Sequence, residues 1–356
     1  MNVGVFLPNW IGDVVMATPT LRALRKRIGS SGKLVGVMRP YVADVLAGTP
    51  WLDEALFYDP KSKRPELRSR GLAAELRKRE LDAVILLTNS LRTGVLAWLS
   101  GAKRRIGYAR AFRGPLLTDK LTAPIAGRTW YGKPRYTPAP VLDYYLETAY
   151  AFGCPSESPQ LELALRPEDR AAADEAWRAL NLPAAGRTIV LNSGGAFGAA
   201  KLWPNEYFAE LARRIVRTTN HHVLVICGPS ERDVARDITA QAGDPRVVSL
   251  AERKLSIGLS KACVERAALM VTTDSGPRHF AAAFNVPVVS LFGPTHIAWS
   301  ENHQRNAIHL QRTPPCGPCQ RRVCPLGTHA CMKELSPGEV FQAVERMLAA
   351  APRRVA

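Results

Sequence analysis

The sequence predicts an α/β protein made of two similar, doubly wound parallel sheets, and three observations carry that reading. Short apolar runs alternate with helix-length stretches along the chain, the pattern of successive β–α units. The alternation restarts after a proline- and serine-rich interruption, GCPSESPQLELALRPED at 153–169. At 356 residues the chain also exceeds what one ordinary core organises. The expected division is a first domain at 1–165, a second at 166–335, and a C-terminal helix and tail at 336–356.

In the first half, the strand VGVFL runs into the loop PNWIGD, after which Leu21, Leu24 and Ile28 share one helical face. Thr18-Pro19 marks a helix start or a kink close to one. Strand-like runs recur at LVGVM, EALFY and DAVILL, separated by YVADVLAG, PELRSRGLAAELRKRE and SLRTGVLAWLS, and the helix APVLDYYLETAYAFG closes the half. The second half opens alike. Strand RTIVLN leads to the turn SGGAFGAAK and the helix PNEYFAELARRIV, then HVLVIC, a GPSERD turn, VVSL, LSKACVERA and LMVTT. The stretch TTDSGPRHFAAAFNVPVVSLFGPT follows at 272–295 as strand, turn, helix and strand. Ligands in such sheets bind beyond the carboxyl ends of the strands. The loops PNWIGD, SGGAFGAAK, CGPSER and TDSGPRH are therefore expected to face a cleft between the halves.

Those loops supply the candidate site residues, each with two readings. Asp13 is placed either to take a proton from an acceptor hydroxyl or to cap the helix after it. Asn9 and Gly12 share its loop as candidate substrate contacts. Ser193 and Gly194 open a turn whose glycines let backbone approach a phosphate, with Lys201 as a point charge or as a plain surface lysine. Asp274, Ser275 and Gly276 begin a turn suited to phosphate at a helix N-terminus, or cap that helix. His279 either touches ligand or is a hydrogen-bonded structural residue. Glu231 either accepts from a ribose or sits as a favourable charge at a helix start. No G-K-[ST] follows the glycines and no G-x-G-x-x-G follows the first strand, so nucleoside-triphosphatase and dinucleotide readings lack their signals.

The net charge of +17 points to acidic partners. Residues 1–160 hold 24 Lys and Arg against 13 Asp and Glu, so the basic excess lies mainly in the first half. Lys61, Arg64 and Arg105 belong to clusters suited to an anionic acceptor. Nucleic acid is less supported, because no recognition motif accompanies the charge. No signal-peptide pattern and no apolar run near a membrane span is visible, so a cytoplasmic protein is expected, with charge-mediated contact to a membrane face. In the tail, Cys316, Cys319, Cys324 and Cys331 follow C-x2-C-x4-C-x6-C, which suits a structural zinc or free thiols in a surface loop, with disulfides less favoured.

The segments PNWIGDVVMATPTLRAL, LLTNSLRTGVLAWLSGAKRRIGY, SGGAFGAAKLWPNEYFAELA and TTDSGPRHFAAAFNVPVVSLFGPT resemble glycosyltransferase family 9, in family order from residue 8 to 295. The resemblance implies a GT-B fold, two Rossmann-like domains that bind acceptor in the first and ADP-heptose in the second. It implies an inverting transfer of L-glycero-D-manno-heptose to the first heptose of the lipopolysaccharide inner core (heptosyl-Kdo2-lipid A), with no cofactor required for the chemistry. The Asn-Ser motif and the A-x-F-G-x-A-K-x-W-P turn favour adding the second heptose over adding the first. By the same likeness Asp13 is the base, Lys201 holds the diphosphate, and Asp274, Ser275, Gly276 and His279 line the ADP site. The chain departs from the family at Ser193-Gly194-Gly195, where Pro-Gly-Ala is common. It departs again at Pro277 and Arg278, where small or apolar residues are usual, and in the cysteine tail.

Overall fold

The computed structural model describes residues 1–130, 132, 134–195 and 197–350. The last six residues of the expected tail lie outside these. The chain forms two compact units, 1–162 and 163–356.

In the first unit, β1 (Asn2–Phe6), β2 (Lys33–Met38), β3 (Glu54–Phe57), β4 (Ala83–Leu86), β5 (Arg104–Tyr108) and β6 (Asp119–Leu121) form one parallel sheet in the order 3-2-1-4-5-6. Val5 pairs with Gly36 on one side and Ile85 on the other. The central strands are apolar on both faces because helices cover both, which is why they read as continuous runs. A hairpin of β7 (Ile125–Arg128) and β8 (Pro134–Tyr136) stands apart from that sheet.

The second unit repeats the order. β9 (Thr188–Asn192), β10 (His222–Ile226), β11 (Val247–Ser249), β12 (Leu269–Thr273), β13 (Val288–Phe292) and β14 (Ala307–Gln311) run β11-β10-β9-β12-β13-β14, all parallel. Both sheets are Rossmann-like, and each has a topological switch point where the order reverses, between β1 and β4 and between β9 and β12. β5, which opens on two arginines, β6, the hairpin and β14 escaped the sequence pattern. The last three are short or, like β14 (AIHLQ), carry polar residues on a half-exposed sheet edge.

The connection between the units is held to the first. Arg22 donates to the Ser158 and Gln160 carbonyls at 2.8 and 3.1 Å, Lys26 pairs with Glu157 at 2.7 Å, and the Glu162 amide donates to Thr18 Oγ1 at 3.2 Å. At Thr18-Pro19 the chain makes two helices, Ile11–Met16 and Thr18–Ile28, with Pro19 in the first turn of the second. The C-terminal helix Pro337–Ala350 is part of the second unit. It buries Val340, Phe341, Val344 and Met347, and Trp203 Nε1 donates to Leu335 O just before it at 2.9 Å. No helix among the described residues is long and apolar enough to cross a membrane.

Candidate active site

In the first unit the loops leaving β1, β2, β3 and β4 line a cavity of about 430 Å³. Asp13 opens into it from the first turn of the helix Ile11–Met16, whose N-cap position is Trp10. The capping alternative for Asp13 therefore does not describe this helix. Tyr145 lines the same cavity; burial, and then the Asp13 carboxylate, hold its phenol well above the ordinary value. Asn9 also lines it, with Oδ1 accepting from Arg39 Nε at 3.3 Å and its carbonyl accepting from the Tyr41 hydroxyl. Gly12 is buried in the helix.

The opposite wall is the turn after β4. Ser90 caps the helix Leu91–Leu99, its Oγ accepting from the Thr93 amide at 3.2 Å. Asn89 Oδ1 accepts from Arg113 at 3.0 Å and from the Tyr144 hydroxyl at 3.1 Å. Arg113 is fully buried, also donates to the carbonyls of Tyr108 and Thr88, and is held by burial at about 10. It positions the turn that Asn89 and Ser90 present to the cavity.

The cations lining this cavity are Arg39 and Arg92. Arg39 is paired with Asp59, whereas Arg92 has no hydrogen bond or ion pair with another described residue. Lys61 and Arg64 are exposed and do not line it, and Arg64 pairs with Glu66 at 2.7 Å. Arg105 commits its guanidinium to the Leu116 and Ala102 carbonyls, both at 2.7 Å. Charge runs are visible in sequence; which cation turns inward depends on strand order and is not.

In the second unit the turn after β9 meets the turn after β12. Lys201 is buried, with Nζ 2.5 Å from Asp274 Oδ2 and 3.1 Å from the Asp274 carbonyl. Asp274 Oδ2 also accepts from Thr295 Oγ1 at 2.7 Å, and Oδ1 from Ser300 Oγ at 2.9 Å. Burial pushes this carboxyl's pKa up, but the Lys201 charge and hydrogen bond, with Arg278 and Thr295, outweigh it and hold it at about 2. The following helix, Arg278–Ala283, has Pro277 at its N-cap and no side-chain cap bond. Asp274 and Ser275 are therefore tertiary anchors rather than caps; Ser275 Oγ accepts from Asn192 Nδ2 at 2.7 Å, and Gly276 continues the turn.

Arg278 is fully buried. It donates to the Ser300 carbonyl at 2.7 Å and to His309 Nε2 at 3.1 Å, and stacks over Phe292. It thus tethers the 297–309 segment and adds a buried positive charge beside Asp274. Burial, then Arg278, hold His309 at about 4 and the wholly buried His279 at about 3, so both imidazoles are neutral near pH 7. His279 Nδ1 accepts from Asn302 Nδ2 at 3.1 Å. Glu231 Oε2 accepts from the Gly228 amide at 2.7 Å, and its carboxylate lies so close to Gly194 that a Cβ there would stand 2.1 Å from Oε1. The Gly194 carbonyl accepts from Thr273 Oγ1 at 2.6 Å. Ser193 Oγ is buried with no hydrogen-bond partner among the described residues.

The cysteine segment rests on these turns: the Ala200 amide donates to Arg322 O at 3.0 Å and the Gln320 amide to Pro294 O at 2.8 Å. Cys316, Cys319, Cys324 and Cys331 are free thiols. Backbone N–H groups of His329, Leu326 and Gly327 donate to the Cys324 sulfur and lower its pKa, while burial raises that of Cys331. Among the described residues, no group of three or more His, Cys, Asp or Glu is set to hold a metal ion. Cys319, Cys324 and Cys316 lie close enough to Cys331 to raise its pKa further by charge.

The chain is similar to known proteins along nearly its whole length. The model of glycosyltransferase family 9 (heptosyltransferase) matches residues 69–330. The chain is 26% identical over 360 residues to lipooligosaccharide heptosyltransferase 2 of Campylobacter jejuni, covering 98% of both chains. It is 24% identical over 356 residues to lipopolysaccharide heptosyltransferase 2 of Escherichia coli, covering 98% of this chain and 99% of that one. Among solved structures, a family 9 glycosyl transferase of Veillonella parvula superposes with a TM-score of 0.80 at 24% identity, covering 98% of this chain and 97% of that one. E. coli ADP-heptose LPS heptosyltransferase II superposes with a TM-score of 0.76 at 21% identity, covering 98% and 99%.

Proposed function

The chain belongs to glycosyltransferase family 9, the heptosyltransferases, and from that premise we propose that it moves L-glycero-D-manno-heptose from ADP-heptose to the first heptose of a lipopolysaccharide inner core, as a heptosyltransferase II. The observation that carries the reading is the use of both switch points. Asp13 follows β1 and faces the turn after β4; Lys201 follows β9 and meets Asp274 after β12. A carboxylate and a buried lysine thus stand where this sheet topology binds ligands, which supports the reading.

In this reading Asp13 removes the proton of the acceptor hydroxyl as its oxygen attacks the anomeric carbon from the face opposite ADP. The anomeric C–O bond to the β-phosphate breaks, its electron pair leaves with ADP, and the configuration inverts. ADP needs no protonating acid, so a single carboxylate suffices, in contrast to the pair used by glycosidases. Lys201, with the buried Arg278 as a second charge acting on Asp274, supplies positive charge as negative charge develops on the diphosphate. The proposed chemistry routes no step through a metal. Arg92, which lines the Asp13 cavity and has no partner among the described residues, suits a carboxylate or phosphate of a Kdo–lipid A acceptor.

The test is ADP release from ADP-heptose with defined inner-core acceptors, with NMR of the product's anomeric linkage. Turnover on a monoheptosylated core with inversion is expected. Retention, or preference for another nucleotide sugar or for a core lacking heptose, overturns the assignment.

A further inference from the structure

The helix Leu91–Leu99, which begins at the Asp13 cavity, leaves one apolar face uncovered. Leu91, Val95 and Trp98 are 47, 36 and 56% exposed, and their spacing places them on one side of the helix. The loop after β5 extends this face. It packs on the helix through Gly94, where a Cβ would stand 2.9 Å from Arg113 Cβ and 3.3 Å from Leu116 Cδ1. The same loop presents Phe112, 95% exposed, one residue before Arg113. A monomeric protein seldom leaves tryptophan, phenylalanine, leucine and valine together in water without a partner.

Charge says which partner. Residues 83–118 contain six Lys and Arg and no Asp or Glu. Among these, Arg92 and Lys103 are exposed and have no ion pair with another described residue. A second copy of the chain on this face would bring like charges together, which disfavours self-association. Exposed aromatic and aliphatic side chains on a segment with excess positive charge instead suit the headgroup region of an anionic bilayer.

We infer that the face formed by Leu91, Val95, Trp98 and Phe112 docks on an anionic lipid surface. The first turn of the same helix lines the cavity, through Ser90, Arg92 and Thr93. Docking therefore holds the cavity beside the surface from which a lipid-anchored acceptor projects; this consequence rests on the function proposed above.

The experiment is co-sedimentation of the full chain with vesicles of phosphatidylethanolamine and phosphatidylglycerol, against vesicles of phosphatidylcholine alone. Binding to the anionic vesicles is expected, weakened at least about tenfold in Trp98→Ser/Phe112→Ser, whose exposed positions leave the unfolding temperature unchanged. The variant should keep wild-type transfer to a delipidated, water-soluble core acceptor and lose transfer to the lipid-anchored one in vesicles. No binding by the wild type, equal binding by the variant, or a wild-type dimer that Trp98→Ser dissolves overturns the inference. So does binding to nucleic acid in preference to the vesicles. Sedimentation uses neither donor nor acceptor, so its failure is separate from failure of the transferase reading.

Discussion

Lys201 and Asp274 lie 73 residues apart and meet as a buried pair, Nζ to Oδ2 at 2.5 Å, because β9 and β12 are neighbours in the sheet. The pair joins the two turns proposed to hold the diphosphate. Its chemistry also makes it an element of stability with a defined pH dependence.

Lys201→Met leaves the Asp274 carboxylate buried without its cation, at a cost of about 3–5 kcal/mol. Denaturant melts at pH 7 should show that loss, and donor KM and kcat should both worsen. The Asp274 pKa is depressed, so its stabilisation is complete above the ordinary value of 3.8 and is lost as pH falls through about 2. In Asp274→Asn the stability curve should flatten across that window. An unchanged acid limb in Asp274→Asn would remove the pair from the account of stability.

Asp13 carries the base assignment alone. Asp13→Asn keeps the shape of the cavity and should lower kcat by about 10²–10⁴-fold, the range for loss of a general base, with donor affinity nearly unchanged. Steady-state kinetics and ADP titration calorimetry separate the two. Near-normal turnover would exclude Asp13 as base.

Arg92 lines that cavity and has no hydrogen bond or ion pair with another described residue. Arg92→Ala should raise acceptor KM by about tenfold while donor KM holds, and Arg92→Lys should recover part of the loss. Wild-type acceptor KM should climb with ionic strength more steeply than that of Arg92→Ala. Equal salt dependence in the two proteins would place the acceptor's charge elsewhere.

Gly194 is needed because Glu231 fills the space a side chain would take. Gly194→Ala should destabilise by about 1–3 kcal/mol through overpacking. Glu231→Ala in the same background should restore most of it, so the double-mutant cycle returns a coupling of that size. Additivity would mean that the clash is relieved by backbone movement.

The central strands and the loops that carry the site were legible because their signals are local. Strands covered on both faces read as apolar runs, and glycines or Asp-Ser-Gly mark the turns that follow them. The residues whose surroundings the sequence did not show have a common origin. Arg105 and Arg113 belong to the same charge run as the exposed Lys103, yet one clamps the Leu116 and Ala102 carbonyls and the other is buried under Asn89. Arg278, a charge beside the Asp-Ser-Gly turn, is fully buried and holds Ser300 and His309, which follow more than 20 residues later. Nothing within a turn of sequence could show those partners.

What the amino-acid sequence determined by itself is therefore the two doubly wound halves, the positions of the turns at their strand ends, and the basic bias of the first half. Hydrophobic period, turn chemistry and net charge are properties of neighbours along the chain. Only the tertiary structure decided which turns meet. The order 3-2-1-4-5-6 sets β1 beside β4 and β9 beside β12, so Asp13 faces Asn89 and Lys201 pairs with Asp274. It also decided which cations are consumed by backbone carbonyls, as Arg105 is, and which, like Arg92, have no partner among the described residues.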